Sequence, residues 1–205
     1  MPESAAEVYA RVVEAVGAKG RLPTPPISDW DVFPWESVDG EVAAKVLRAP
    51  GAERVRIGEQ GGKPCDVCAG KLDDRVIWED DFWVLTRDEK PTGLPIVVTL
   101  WTREHLDFGD LDDELASQFG RISNRLVRII QGLDNIGRVH VNRWGDGSSH
   151  LHVWFFARTE GLASIVGSYA VEWDEILPPG PEDVWRADLH AIAAKLANWG
   201  GHARA

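Results

Sequence analysis

The stretch from Arg138 to Arg158, RVHVNRWGDGSSHLHVWFFAR, constrains the chain most, because it reads as two hydrophobic strand segments joined by a turn of Gly, Asp and Ser. The second segment contains His150-Leu151-His152-Val153-Trp154-Phe155-Phe156. Side chains alternate across a strand, so His150, His152 and Trp154 share one face while Leu151, Val153 and Phe155 share the other. Two imidazoles therefore stand at the mouth of a polar turn. Each can act near neutral pH as a nucleophile, a proton carrier or a metal ligand. The same spacing also suits two strand histidines that are merely hydrogen-bonded.

Far upstream lies Cys65-Asp66-Val67-Cys68, and His105 falls between the two regions. Thiolates and imidazoles are the donors a tetrahedral zinc prefers, and one C-x2-C with two separated histidines makes a set of four. These are the only 2 cysteines in the chain. A redox pair and two unliganded thiols are the alternatives; the redox pair would open a helix in a βαβ unit, and no such unit is legible.

The remaining segments alternate strand and helix signals. Residues 3–18 have helical spacing, with Ser4 and Glu7 as a capping box. Residues 21–40, with Pro23, Pro25 and Pro26, read as an extended loop packing through Trp30, Phe33 and Trp35, either an arm over the core or a lid. Glu41–Leu47 reads as a short turn of helix or a strand, and Arg54–Gly58 as a short strand entering the cysteine loop. Arg75–Glu79 and Phe82–Arg87 form a hairpin about Asp80-Asp81, and Pro95–Trp101 is a strand buried on both faces. Asp112–Leu133 is the clearest helix, with Leu115, Phe119, Ile122, Leu126, Ile129 and Ile130 on one face and Gly132 as its stop. Beyond Arg158, Leu162–Val171 fits strand or helix, Trp173–Pro181 is a Pro-rich break, and Glu182–Trp199 is helical. His190 and His202 suggest no partner and read as structural or exposed.

A net charge of −11 repels a phosphate backbone, and no basic cluster is legible, which argues against nucleic acid. A single nucleotide needs only a local donor site. Neither a secretory signal nor a run of ~20 apolar residues is present, so no membrane partner is expected. Two cysteines at metal spacing, with no disulfide framework, fit a reducing cytoplasm.

Asn142, the Gly/Asp/Ser turn, His150-x-His152 and Arg158 resemble the signature strand-turn-strand of the histidine-triad (HIT) superfamily, whose motif is His-φ-His-φ-His-φ-φ. CDVC, RVIWEDDFWVLTRDEKP and VVTLWTREHLDFGDL follow that family's order, and the resemblance covers about residues 53–158. Trp154 stands at the third histidine position. The galactose 1-phosphate uridylyltransferase branch also lacks that histidine, carrying glutamine, and binds zinc through CxxC, a mid-chain histidine and the first histidine of its pair.

The resemblance implies an α+β fold: a HIT-like antiparallel sheet with one long helix, plus N- and C-terminal helical extensions. It divides the chain into an arm (1–52), a HIT-like domain (53–158) and an extension (159–205). Cys65, Cys68, His105 and His150 would hold a structural zinc, since four protein ligands leave no open position. His152 would be the nucleophile. Asn142, Ser148, Ser149 and the amides of Gly145–Ser149 would meet phosphate oxygens, and Asp88 the ribose hydroxyls. The implied activity is a nucleotidyl hydrolase or transferase acting on a nucleoside phosphate ester, anhydride or phosphoramidate through a nucleotidyl-histidine intermediate. Its small-molecule partner would be a nucleotide or nucleotide-sugar, and the protein a homodimer through the long helix and neighbouring strands. The alternatives are a nucleotide-binding protein that keeps fold and zinc without turnover, and a zinc-stabilised interaction module.

Overall fold

The structure, a computed structural model, describes residues 1–24 and 33–204. Helix α1 (Ala5–Val16) starts at the expected capping box, with the Ser4 side chain accepting from the Glu7 amide and Glu7 answering the Ser4 amide. A hairpin of β1 (Trp35–Val38) and β2 (Glu41–Ala44) follows. It corrects the expectation of an extended loop through residue 40. Asp39-Gly40 adopts φ of 52° and 84°, the left-handed pair that a two-residue hairpin needs, and this signal was masked by the surrounding prolines. Trp30 and the lid expectation for its neighbours lie outside the described residues.

The main sheet contains β3 (Val76–Glu79), β4 (Trp83–Arg87), β5 (Ile96–Thr102), β6 (Ile136–Asn142), β7 (His152–Thr159) and β8 (His202–Ala203). Its order is β6-β7-β5-β4-β3-β8, antiparallel throughout. Helix α2 (Asp113–Gln131) connects β5 to β6, and α3 (Ala170–Ile176) and α4 (Glu182–Ala197) follow β7. Leu85, Val98, Leu100, Leu151, Val153 and Phe155 point to one face and form a core with Ile122, Leu126 and Ile130 of α2 and with Trp185, Leu189 and Ile192 of α4. Each large apolar side chain buried this way stabilises the packing by ~1.5–3 kcal/mol. No helix among the described residues is long and apolar enough to cross a membrane.

The second face of the sheet is divided. Val97 and Phe156 are covered by Leu94, Ile165, Ala170 and Leu177, with Val12 of α1 and Trp173 of α3 packed alongside. Towards the other end of the same strands, Thr86, Thr99, Trp101 and His152 lie beyond this cover, and Trp154 sits at its margin.

Three local readings are revised. Arg54–Gly58 is not a strand: only an isolated bridge from Ile57 to Ser148 forms, and the backbone turns away at Gly58, where φ is +91°. Trp173–Ile176 belongs to α3, so the break starts at Leu177, ahead of Pro178-Pro179. His150 lies outside β7, in the turn residues that lead into it, while His152 and Trp154 keep their shared face.

Candidate active site and metal centre

Cys65, Cys68, His105 and His150 come together, with one donor atom from each lying within 4.8 Å of the others. His150 Nδ1 is 3.3 Å from Cys65 Sγ and 3.5 Å from Cys68 Sγ, and His105 Nδ1 is 3.3 Å from Cys68 Sγ. A tetrahedral zinc with Zn–S near 2.3 Å and Zn–N near 2.1 Å would separate sulfur and nitrogen by about 3.6 Å, and the three sulfur–nitrogen distances of 3.3, 3.3 and 3.5 Å approach that spacing.

The surroundings of each imidazole leave its Nδ1 for the cluster. His150 is fully buried, and its Nε2–H donates to the Thr102 carbonyl at 2.7 Å. His105 Nε2 lies 3.0 Å from Ser149 Oγ, whose hydroxyl is also 3.1 Å from the Ile57 carbonyl. These outer bonds assign the tautomers and orient both rings, as partners of metal-ligating histidines generally do. Burial pushes the His150 pKa down, with the Thr102 bond opposing and His105 and His152 reinforcing, so its ring is held in the neutral form that binds metals. Burial, and next the adjacent Cys65, push the Cys68 thiol up. A divalent ion held by Cys65, Cys68, His105 and His150 would favour the thiolate form of both cysteines.

A polar clamp positions the turn beside the cluster. Asp107 receives Arg56 Nη1 at 2.7 Å and Arg143 Nη2 at 2.5 Å, and Arg56 also donates to the Gly145 carbonyl at 3.1 Å. Burial opposes ionisation of Asp107, but the Phe108 amide and the two guanidinium groups together hold its carboxyl below the usual range. Backbone bonds from Ile57 to Gly147 and from Ser149 to Ile57, at 3.0 and 2.9 Å, fasten the cysteine loop to the same turn. Gly58 closes the arrangement: a Cβ there would lie 2.4 Å from His105 Cε1, so only glycine admits the ring.

His152 is 9% exposed, and its Nδ1–H donates to the His150 carbonyl at 2.8 Å. Nε2 therefore carries the lone pair. Trp101, directly across the β5–β7 ladder, lies 5.3 Å from the His152 ring, and Trp154 stands 6.5 Å away at 89° to it. Both indoles line a cleft of about 220 Å³ whose wall also includes Thr99, Asp88 and Ser148. Burial raises the pKa of Asp88, partly offset by Arg75. Asn142 faces Trp154 across the β6–β7 ladder and so points to the same side of the sheet.

The residues singled out from sequence thus fall into two adjoining groups. Cys65, Cys68, His105 and His150 form the cluster with Ser149 bonded to it, and Asp88 and Ser148 line the cleft. Arg56, Asp107, Arg143, Thr102 and Trp101 were not foreseen, since the Asp107 contacts join positions 51 and 36 residues apart and follow no local spacing.

The sheet and long helix define the α+β fold of the histidine-triad proteins, with a Cys2His2 cluster built into it. A histidine triad protein from Bradyrhizobium japonicum superposes with a TM-score of 0.50 at 17% identity, covering 62% of this chain and 94% of that one. A zinc-bound histidine triad family protein from Mycobacterium smegmatis gives a TM-score of 0.46 at 21% identity, over 66% of this chain and 96% of that one. A uridylyltransferase gives 0.42 at 13% identity, over 64% of this chain and 44% of that one. No family model and no curated protein sequence matches the chain.

Proposed function

We propose that the chain is a nucleotidyl hydrolase or transferase working through His152. The observation that supports this best is the bond from His152 Nδ1 to the His150 carbonyl, which in the neutral ring puts the lone pair on Nε2. The ring packs against Trp101, which lines the cleft, although His152 itself is buried and does not line it. In the first step Nε2 attacks the α-phosphorus of a nucleotide. A P–N bond forms, the bond from phosphorus to the leaving group breaks, and the leaving group departs with the electron pair. Water or a phosphate then attacks the same phosphorus, the P–N bond breaks with its electron pair returning to Nε2, and where water attacks its proton passes to solvent. Asn142 and Ser148 supply donors to the phosphate oxygens, where negative charge accumulates. Asp88 accepts from ribose hydroxyls. Ser149 contributes by holding His105.

Zinc is the ion the cluster would take; with four protein donors it supplies a structural tie and has no open position for substrate. The thiol ligands require a reducing compartment, for which the cytoplasm is the proposal. A two-fold dimer would form through α2 and the adjoining β6, whose outer edge pairs with no strand among the described residues.

Trp154 narrows the chemistry. An indole cannot protonate a departing group. Leaving groups that are stable as anions, such as a phosphate or sugar phosphate, are therefore favoured over an amine. The same residue supports a second reading, a nucleotide-binding protein with little turnover.

Intact-protein mass spectrometry after incubation with nucleoside phosphoramidates, dinucleoside polyphosphates and sugar nucleotides separates the two. A nucleotidyl adduct on the wild type that His152→Ala lacks is the expected result. Absence of both adduct and turnover across the panel, with retained binding, would favour the second reading.

A further inference from the structure

A larger concavity, of about 760 Å³, lies on the helical side of the sheet between α2 and the C-terminal end of α4. Arg121, Arg125 and Arg128 line one wall, spaced four and three residues apart on one helical face, and Lys195 comes from the last turn of α4. This corrects the expectation that no basic cluster is present: the three arginines recur at helical spacing within α2, and Lys195 joins them when the two helices pack. No acidic side chain lines the groove among the described residues. Arg121 is partly answered by Glu114 at 3.3 Å, whereas Arg128 and Lys195 form no ion pair among the described residues. Favourable contact with a helix C-terminus accounts for Arg128 and Lys195 but not for Arg121 and Arg125, which sit earlier in α2.

In a chain of net charge −11, this concentration of positive charge, in which Glu114 pairs with Arg121 and no other ion pair forms among the described residues, is a departure that a bound anion relieves. Two further features describe that anion. Trp199 is 62% exposed, and the Arg125 guanidinium lies 4.7 Å from the centroid of its ring, so the groove offers exposed indole surface to a planar group. Gly120 sits in mid-helix, where glycine costs ~1 kcal/mol relative to alanine. A Cβ there would meet nothing within 4 Å, so packing does not demand glycine and the position keeps the groove wall low.

We propose that this groove binds a nucleoside polyphosphate, with the phosphates on Arg121, Arg125, Arg128 and Lys195 and the base stacked on the exposed ring of Trp199. Guanidinium forks suit phosphate oxygens, and indole faces suit bases. A long polyanion is disfavoured by the net charge of the whole chain, and the dimer proposed through α2 and β6 leaves this site open only if it uses the part of α2 away from the arginine stripe. The site is separate from the His152 cleft and does not depend on the activity proposed there.

The test is calorimetric titration of the full chain with adenosine triphosphate, inorganic tripolyphosphate and a poly-glutamate peptide, with hydrogen exchange to locate binding. Adenosine triphosphate is expected to protect residues 117–128 and 195–199. Arg128→Gln combined with Lys195→Gln, both exposed substitutions that break no ion pair, is expected to weaken it at least tenfold. Trp199→Ala is expected to weaken adenosine triphosphate about fivefold or more and leave tripolyphosphate unchanged. Protection confined to residues 148–154, affinity indifferent to the double substitution, or equally tight capture of poly-glutamate would each overturn the assignment. Turnover at His152 is expected to be the same in these variants, so failure of one site is distinguishable from failure of the other.

Discussion

The carbonyl of His150 accepts the Nδ1–H of His152 at 2.8 Å, so the residue that faces the two sulfurs also sets the tautomer of the imidazole two positions on. If the cluster holds zinc as proposed, its removal should therefore affect reactivity as well as stability, although the ion would take no direct part in the proposed chemistry. Cys68→Ser is expected to weaken zinc binding by two orders of magnitude or more, lower the thermal midpoint, and reduce adduct formation at His152. Zinc content by elemental analysis and adduct yield by mass spectrometry measure both. Full adduct yield in a zinc-free variant would uncouple the cluster from His152.

Gly58 tests the geometry without altering a donor. Alanine there must displace the His105 ring, since its Cβ would come within 2.4 Å of Cε1 and 2.9 Å of Ser149 Oγ, and the φ of +91° is strained for any other residue. Gly58→Ala is expected to weaken zinc at least tenfold and destabilise the fold by ~1–3 kcal/mol. Alanine at Gly120, where there is space, should have no such effect on zinc.

Trp154 makes a prediction about leaving groups. Replacing it with histidine supplies a titratable group on the same face as His152, at the expense of the stacked contact with Phe156 at 5.9 Å. Trp154→His is expected to raise the ratio of phosphoramidate to anhydride turnover at least tenfold, because only the amine needs a proton to depart. An unchanged ratio would show that no general acid acts from this position.

Asp174 gives the pH dependence a defined origin. Its carboxyl accepts the Leu94 amide at 2.7 Å and fastens α3 to the loop before β5, and burial pushes its pKa up from 3.8 to about 6. The folded state therefore binds this proton more tightly than the unfolded chain. The resulting stabilisation is present below pH ~4 and is lost as pH rises to ~6, a difference of at most ~3 kcal/mol. Asp174→Asn keeps an acceptor for Leu94 and removes the charge. It is expected to flatten the wild-type difference in stability between pH 4.5 and 7.5, read from urea midpoints; identical slopes in the two proteins would exclude Asp174 as the source.

Periodicity along the chain was enough for the long helix, the β3–β4 and β6–β7 pairs and the apolar face through Leu151, Val153 and Phe155, because burial of alternate or helically spaced side chains is a local property. The Cys and His donors were legible as residue types, since few side chains bind a soft divalent ion. What joins them was not. Asp107 reaching Arg56 and Arg143, Gly58 making room for His105, and Lys195 completing the groove with α2 are contacts between segments distant in sequence. Such contacts depend on how helices and loops pack, and only the tertiary structure decides that.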